Sequence, residues 1–506
     1  MKIIKSFFAI AIVFITGLTI SCSLNPAEEK TEPIVVTFPD PNFEALIREK
    51  LDIPEGDITN YDMWTINRLD GIGMNINDIS GIEYCSGLQI LRIRENNISD
   101  LTPLKELVLL NYLDLQQNQI INIKPLNDNI GLGIGEDIIY IYDNPLSDES
   151  ILQYKPQIQA RGVKFHSDAE LSQPGEINFM DDNFEAVIRE HLNMPAGTIL
   201  NTDLESITNI FGRNRNIQNI YGIEFCTNLD TLDIGFNGIS DLIPLFYLRK
   251  MKRLKLDNNA IEDISSLRYF SHLTELALNN NIIKELSYIS GLTKLTSLSL
   301  NNNNLESIND LANLNNLLSL LLNNANIQNI SPLSNLLKLQ YLTLSGNPID
   351  DFAPLSGIDS LKTLELIDLE KFDFDQINEI ANLQTLYLTN TPIANLDSIA
   401  NIKSLQNLIM NNCSIANIDS LARLNKLAKL LLKDNIITDI TSLTELHELY
   451  ELNLGNNNIS DILPLVNNWG ISGANDYILL YNNPLSDITL NTYIQQLQAR
   501  GVQVFY

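Results

Sequence analysis

The chain has 506 residues, 44% of them hydrophobic, which is enough for several packed domains and too apolar for a disordered polymer. Its 62 acidic residues against 33 basic ones give a formal net charge of −29, which disfavours nucleic acid and anionic lipid as partners and favours a well-solvated surface. The four cysteines, Cys22, Cys85, Cys226 and Cys413, are too few and too scattered for a disulfide scaffold.

The first predicted element is a leader. Lys2 and Lys5 make a basic start, and residues 7–20 form an apolar run too short to span a bilayer comfortably, so residues 1–21 read as a secretory signal peptide. The run ends in "TISC", which resembles the lipobox of bacterial lipoproteins, with Thr19 where that family usually has Leu. The resemblance implies that Cys22 becomes the lipidated first residue and that residues 22–35 tether a soluble ectodomain to a membrane surface. Loss of Lys2 and Lys5 with the leader takes the charge from −29 to −31. Nothing later in the sequence is apolar enough to cross a bilayer.

Residues 36–165 form a first, short module. "FPDPNFEALIREKL" from Phe38 predicts a helix starting at Asn42, with Phe43, Leu46, Ile47 and Leu51 on one face. Then "LQILRIRENNISDLTPL" from Leu88 and "LNYLDLQQNQIINIKPL" from Leu110 repeat one frame, L-x-x-L-x-L-x-x-N-x-I-x-x-I-x-x-L, at a spacing of 22. The L-x-L piece predicts a short strand, and the Asn after it a buried amide that satisfies turning backbone in its own and the next coil. The insert "GLGIGED" stretches the last coil to 26 residues. "SDESILQYKPQIQARG" then predicts a closing helix with a polar start at Ser147 and a stop at Gly162, and "VKF" a final edge strand.

A polar linker, residues 166–176, precedes a second, long module at 177–506. The opening helix returns as "FMDDNFEAVIREHL" from Phe179, shifted by 141, with Phe184, Val187, Ile188 and Leu192 as its apolar stripe. The ending returns as "NNPLSDITLNTYIQQLQARGVQVFY", shifted by 339. The two shifts differ by 198 residues, nine repeats, so the second module is the first one lengthened by nine coils. The ladder runs Asn96, Asn118, Asn144, then Asn237, Asn259, Asn281, Asn303, Ala325, Asn347, Leu369, Thr391, Cys413, Asn435, Asn457 and Asn483. Cys413 reads as a structural substitute on that ladder, and Cys85 and Cys226, each eleven residues before a ladder Asn, as small core residues.

This pattern resembles the leucine-rich repeat family, in its 22-residue, internalin-like bacterial subclass. The resemblance implies an α/β solenoid. Here that means two tandem capped horseshoes, with parallel strands on the concave face and turns or 3₁₀ segments on the convex face. Caps are needed because a stack ends in apolar side chains and unpaired strand edges. Internalins imply adhesion to host cells. This chain closes on its own cap motif, without their wall anchor, so that role is not carried over.

Catalytic chemistry is sparse in the sequence. His166, His191, His272 and His447 are isolated, with no metal-ligand spacing, and there is no phosphate-binding loop or paired nucleophile, so no metal or cofactor is expected. Asp100, Asp241, Asp263, Asp439 and Asp461 recur at the convex turn, where turn capping explains them better than acid–base work. Binding is the stronger expectation. Much of the long module's concave face is small or polar: Ser297, Ser299, Asn301, Ser319, Asn323, Thr343 and Ser345. Farther along, Tyr387, Ile409 and Leu431 share one outward column, with Lys429 and Lys433 beside them, Tyr341 upstream, and Tyr477, Leu479 and Tyr481 on the last coil. Such clusters serve as interface anchors. Tyr140 and Tyr142 hold matching positions in the short module, which leaves cap packing open for the terminal tyrosines. The expected function is an exported, lipid-anchored, non-catalytic envelope protein, surface-exposed or periplasmic, that binds a protein partner. A periplasmic scaffold, a glycan binder using the terminal tyrosines, and a hydrolase using the convex acids are the alternatives.

Overall fold

The computed structural model describes residues 33–135, 137–168, 175–177, 179–369, 374–377, 380 and 382–506. The leader, Cys22 and all but the end of the tether lie outside the described residues. The chain divides into two compact units, Met1–Gly175 and Glu176–Tyr506. Among the described residues the first carries one parallel sheet of five strands: β1 (Arg68–Asp70), β2 (Ile90–Arg92), β3 (Tyr112–Asp114), β4 (Ile138–Tyr140) and β5 (Lys164–His166). The second carries a parallel sheet of fourteen, from β6 (Asn209–Phe211) to β19 (Gln503–Phe505), every strand paired with its neighbours in chain order.

Each strand is three residues long because the frame leaves only x-L-x extended. The central Leu points inward, and register advances one coil at a time, as in Leu298↔Leu320 and Leu320↔Leu342. On the opposite side the chain returns through 3₁₀ segments such as Ser331–Asn335 and Thr441–Glu445. Between the two layers the frame's apolar positions close a continuous core. In one coil Leu276, Leu278, Ile283, Leu286, Ile289, Leu292 and Leu295 are all at most 1% exposed. Burial of each such side chain contributes roughly 1.5–3 kcal/mol, realised only when the next coil is present.

The ladder asparagines sit where the backbone leaves the strand. Asn303 Nδ2 donates to the carbonyls of Leu278 and Leu300, both at 3.0 Å, and its Oδ1 accepts from Ile283 N at 3.1 Å, so one amide ties two coils. Asn96, Asn118, Asn281, Asn435 and Asn457 repeat these bonds. Where Asn is missing, two other solutions appear. Thr391 Oγ1 donates to Leu366 O and accepts from Leu369 N, both at 3.3 Å, and Cys413 Sγ donates to Leu388 O at 2.9 Å. At Arg215, Ala325 and Cys413 the backbone itself adapts. The residue after each (Asn216, Asn326 and Ser414) takes a left-handed φ of 57°, 61° and 56°. Each position's own N–H then donates to the next ladder Asn at 3.0 Å. The carbonyls of Ala325 and Cys413 accept from Leu305 N and Ile393 N, the role an Asn Oδ1 would have had. Asn tolerates this conformation better than most residues.

Both modules open with an eleven-residue helix, Pro41–Leu51 and Asp182–Leu192, whose Phe43, Leu46 and Ile47, or Phe184, Val187 and Ile188, are buried; Leu51 and Leu192 are only partly covered. The first helix is capped by Asp40, two residues ahead of the expected Asn42. Its Oδ1 accepts from Asn42 N and Phe43 N at 2.8 and 3.1 Å, while Oδ2 accepts from Asn77 N at 2.6 Å in the first coil. A carboxylate has the lone pairs for both tasks, and Pro41 suits the first helical turn. Asp181 does the same with Asn183, Phe184 and Gln218.

At the far ends, the stretched coils depend on close approach. A Cβ on Gly131 would stand 2.0 Å from the carbonyl oxygen of Val108, and one on Gly470 2.0 Å from that of His447. The fully buried Asn129 and Asn468, two residues earlier, hold these crossings. Asn129 Nδ2 donates to Leu104 O and Leu107 O at 2.9 and 3.1 Å, and Asn468 Nδ2 to Leu443 O and Leu446 O at 2.8 and 2.9 Å. The last strand of the short module includes His166, and Asp168 accepts from Asp143 N at 2.7 Å, so ordered pairing runs past the expected start of the linker. The strand continues because β4 still offers it partners: Ile141 N donates to His166 O at 2.9 Å.

Candidate partner-binding face

On the concave face the two outward residues of each strand stack into columns, coil upon coil, about 4.8 Å apart. β14 (Thr385–Tyr387), β15 (Asn407–Ile409) and β16 (Lys429–Leu431) pair so that Tyr387, Ile409 and Leu431 are direct neighbours. Tyr387 and Leu431 are half-buried, but Ile409 is only 5% exposed, a correction to its expected display. It lies between Tyr387 and Leu431 on the adjacent strands. Lys429 Nζ lies 2.7 Å from Glu451 and Lys433 Nζ 3.2 Å from Asp434, so both lysines have carboxylate partners beside the apolar strip.

The column continues beyond this patch. β17 (Glu451–Asn453), β18 (Tyr477–Leu479) and β19 extend the register Leu431↔Asn453↔Leu479↔Phe505. The two groups that the sequence suggests separately are thus one strip interrupted by Asn453, and it ends on Phe505, which is 51% exposed. Sequence reasoning missed Phe505, although its place after Leu479 in the repeated frame signals it.

The tyrosines differ in role. Tyr477 donates its hydroxyl to Glu451, which with burial and the carboxylate's charge pushes the phenol up to about 12. The Tyr481 ring reaches the preceding coil, where a Cβ on Gly455 would meet it at 2.4 Å, so Gly455 makes room for it. Tyr341 stands in the other column, on the strand Tyr341–Thr343, 36% exposed, and register takes it to Thr363 and Thr385 rather than to the strip. Its phenol is raised by partial burial, then by Glu365 and Tyr387, which places all three within electrostatic reach.

The polar stretch of the same face is largely bonded to itself. Asn279 Oδ1 accepts from Asn301 N, Asn301 Oδ1 from Asn323 N and Asn323 Oδ1 from Ser345 N, at 2.9, 2.7 and 2.8 Å. On the exposed edge Asn302 Nδ2 donates to Asn280 Oδ1 and Asn324 Nδ2 to Asn302 Oδ1, at 2.7 and 3.1 Å. The convex aspartates are turn caps. Asp100, Asp241, Asp263, Asp439 and Asp461 each accept from the backbone N–H two residues on, at 2.8–2.9 Å. Cys85, Cys226 and Cys413 are buried thiols, raised by burial first, Cys85 to about 12 and Cys413 to about 11. Among the described residues no group of acids, histidines and cysteines is placed to hold a metal, and no helix is long and apolar enough to cross a membrane.

Parallel strands on one face, 3₁₀ turns on the other and an internal amide ladder at a 22-residue period define a leucine-rich repeat protein. Among solved structures, an internalin (inlF) from Listeria monocytogenes is 30% identical, matched over 66% of this chain and 98% of its own, with a TM-score of 0.60. The chain belongs to the internalin-like leucine-rich repeat proteins. An internalin C2 of the same organism is 23% identical over 62% of this chain and 98% of its own, with a TM-score of 0.31. A leucine-rich repeat protein from Leptospira interrogans is 17% identical over 88% and 97%, with a TM-score of 0.43. No protein-family model matches the sequence, and no curated protein does.

Proposed function

We propose that the mature chain is a non-catalytic, exported recognition protein, lipid-anchored at Cys22 in a bacterial envelope, that binds a protein partner through the concave face of its long module. The observation that carries this reading is the strip Tyr387, Ile409, Leu431, Leu479 and Phe505. Around the buried Ile409 it offers half-buried Tyr387, Leu431 and Leu479 and exposed Phe505, on a face where many of the neighbouring polar groups bond one another. Half-buried aromatic and aliphatic side chains with a polar surround are suited to anchor a partner. The non-catalytic part of the reading is supported by the convex aspartates, whose carboxylates are engaged with backbone N–H groups.

A photoreactive phenylalanine analogue at Tyr387 in intact cells tests the face. Discrete protein adducts are expected there and none from the same group at convex Ser356; equal labelling at both, or none at either, sinks the assignment. Cys22→Ser tests the anchor by releasing the chain from membranes into the soluble fraction. Protease treatment of intact cells then separates surface display from periplasmic residence.

A further inference from the structure

Five of the chain's 33 basic residues fall within residues 249–255, and residues 242–256 contain no acid, on a chain of net charge −29. The fold explains where they go. The chain here leaves the 3₁₀ segment Ile243–Leu245 and climbs into the strand Arg253–Lys255, so Arg249, Lys250, Lys252 and Arg253 lie exposed along the ascending rim of the long module. Two of the five are neutralised: Lys252 by Asp230 at 3.0 Å and Lys255 by Glu275 at 2.8 Å.

Of the others, Arg249 and Lys250 are held by groups without charge, and Arg253 by a hydroxyl that itself bonds the Asp230 carboxylate. The Arg249 guanidinium lies over the Tyr269 ring of the next coil at 4.6 Å and near the Phe246 ring at 5.6 Å. Lys250 Nζ donates to Asn228 Oδ1 at 2.5 Å, and Arg253 Nε and Nη2 donate to Thr231 Oγ1 at 3.2 and 3.1 Å. Among the described residues none of these three has a carboxylate within ion-pair distance. Arg249 and Lys250 are oriented with their charge unspent, while Arg253 is shared in part with Asp230, whose carboxyl Thr231, Lys252 and, to a lesser degree, Arg253 hold below its ordinary pKa. The repeat then extends the rim: His272 and Lys294 follow Lys250 at 22-residue steps, both exposed.

We propose that this rim, Arg249, Lys250, Arg253 and Lys294, docks a short acidic segment of a protein partner. The net charge decides between anions. An extended polyanion or an anionic bilayer would meet the acidic remainder of the molecule, whereas screening over about 8 Å at physiological salt lets a short segment see only the local cations. Pre-positioned guanidinium groups match carboxylates in geometry as well as charge. The proposal is independent of the apolar strip.

The test is titration of fluorescein-labelled octaglutamate into the full mature chain, followed by anisotropy. Saturable binding that weakens with salt is expected. Arg249→Ser/Lys250→Ser/Arg253→Ser should lower affinity at least about tenfold with an unchanged circular dichroism spectrum, and Lys250→Ser alone should give an intermediate loss. Leu431→Ser in the apolar strip should leave octaglutamate binding unchanged, so that failure of this rim and failure of the partner face are told apart. Absence of saturable binding, or full affinity in both rim variants, overturns the proposal. So does tighter binding of dextran sulfate than of octaglutamate, which would assign the rim to a sulfated polysaccharide.

Discussion

The two modules use the same lids and differ in what lies between them. Asp40 and Asp181 make the same bonds, and Asn129 and Asn468 pin the same glycine crossing. The sheets, however, run to five and fourteen strands, and the concave surfaces part company. In the short module Tyr140 and Tyr142 are 2% and 3% exposed, and Arg94 and Asp114 form a fully buried ion pair at 3.1 Å. The corresponding Leu479 and Tyr481 of the long module are half-buried. Lids are thus a fixed requirement of the stack, while the concave face is free to vary. That is the expected behaviour of a fold whose stability is a sum of nearest-neighbour terms.

The comparison breaks most sharply at the crossings. Gly470→Val should cost roughly 4 kcal/mol or more, because the added Cβ meets a backbone carbonyl rather than a movable side chain. Hydrogen exchange should show lost protection at the end of the long module and none in the short one; Gly131→Val should reverse the pattern. Asn303→Ala should cost about 3 kcal/mol by orphaning two carbonyls and an N–H, and Asn303→Thr less, since Thr391 already serves at a ladder site. Urea unfolding of the two variants gives the ranking, and equal losses would contradict the ladder account.

Asp40 provides a pH test of the lids. Burial works against its ionisation, but bonds from Asn77, Phe43 and Asn42 outweigh it and hold its pKa below the usual value. A depressed folded pKa means that its stabilisation is complete above the unfolded value near about 3.9 and disappears as pH falls through the folded one. Asp40→Asn should flatten that part of the acid limb and cost about 1 kcal/mol at neutral pH, read from the melting temperature against pH. The smallest effect is chemical. Cys85 and Cys413, raised to about 12 and about 11, should resist maleimide at pH 8 in the native chain and react once it is unfolded.

The strand columns, the ladder and the repeated ends are legible in the sequence because one frame recurs and each position keeps one environment. What the sequence hides depends on contacts outside the frame. Asp40 takes its cap role partly from Asn77, 37 residues on. Ile409 is only 5% exposed although it shares its column with the half-buried Tyr387 and Leu431. The left-handed residues beside Ala325 and Cys413 become readable only once Asn326 and Ser414 are recognised as a substitute turn. The pairing of Lys429 was within reach, since Glu451 follows it by one repeat.

Because the long module exceeds the short one by a whole number of identical 22-residue steps, its reach is quantised. Unequal crossing-over within the gene would add or drop steps without inventing a new loop or disturbing either lid. Lineages of this protein should therefore vary in size by multiples of one coil, and removal of residues 281–302 should leave a soluble, cooperative chain that is simply one rung shorter.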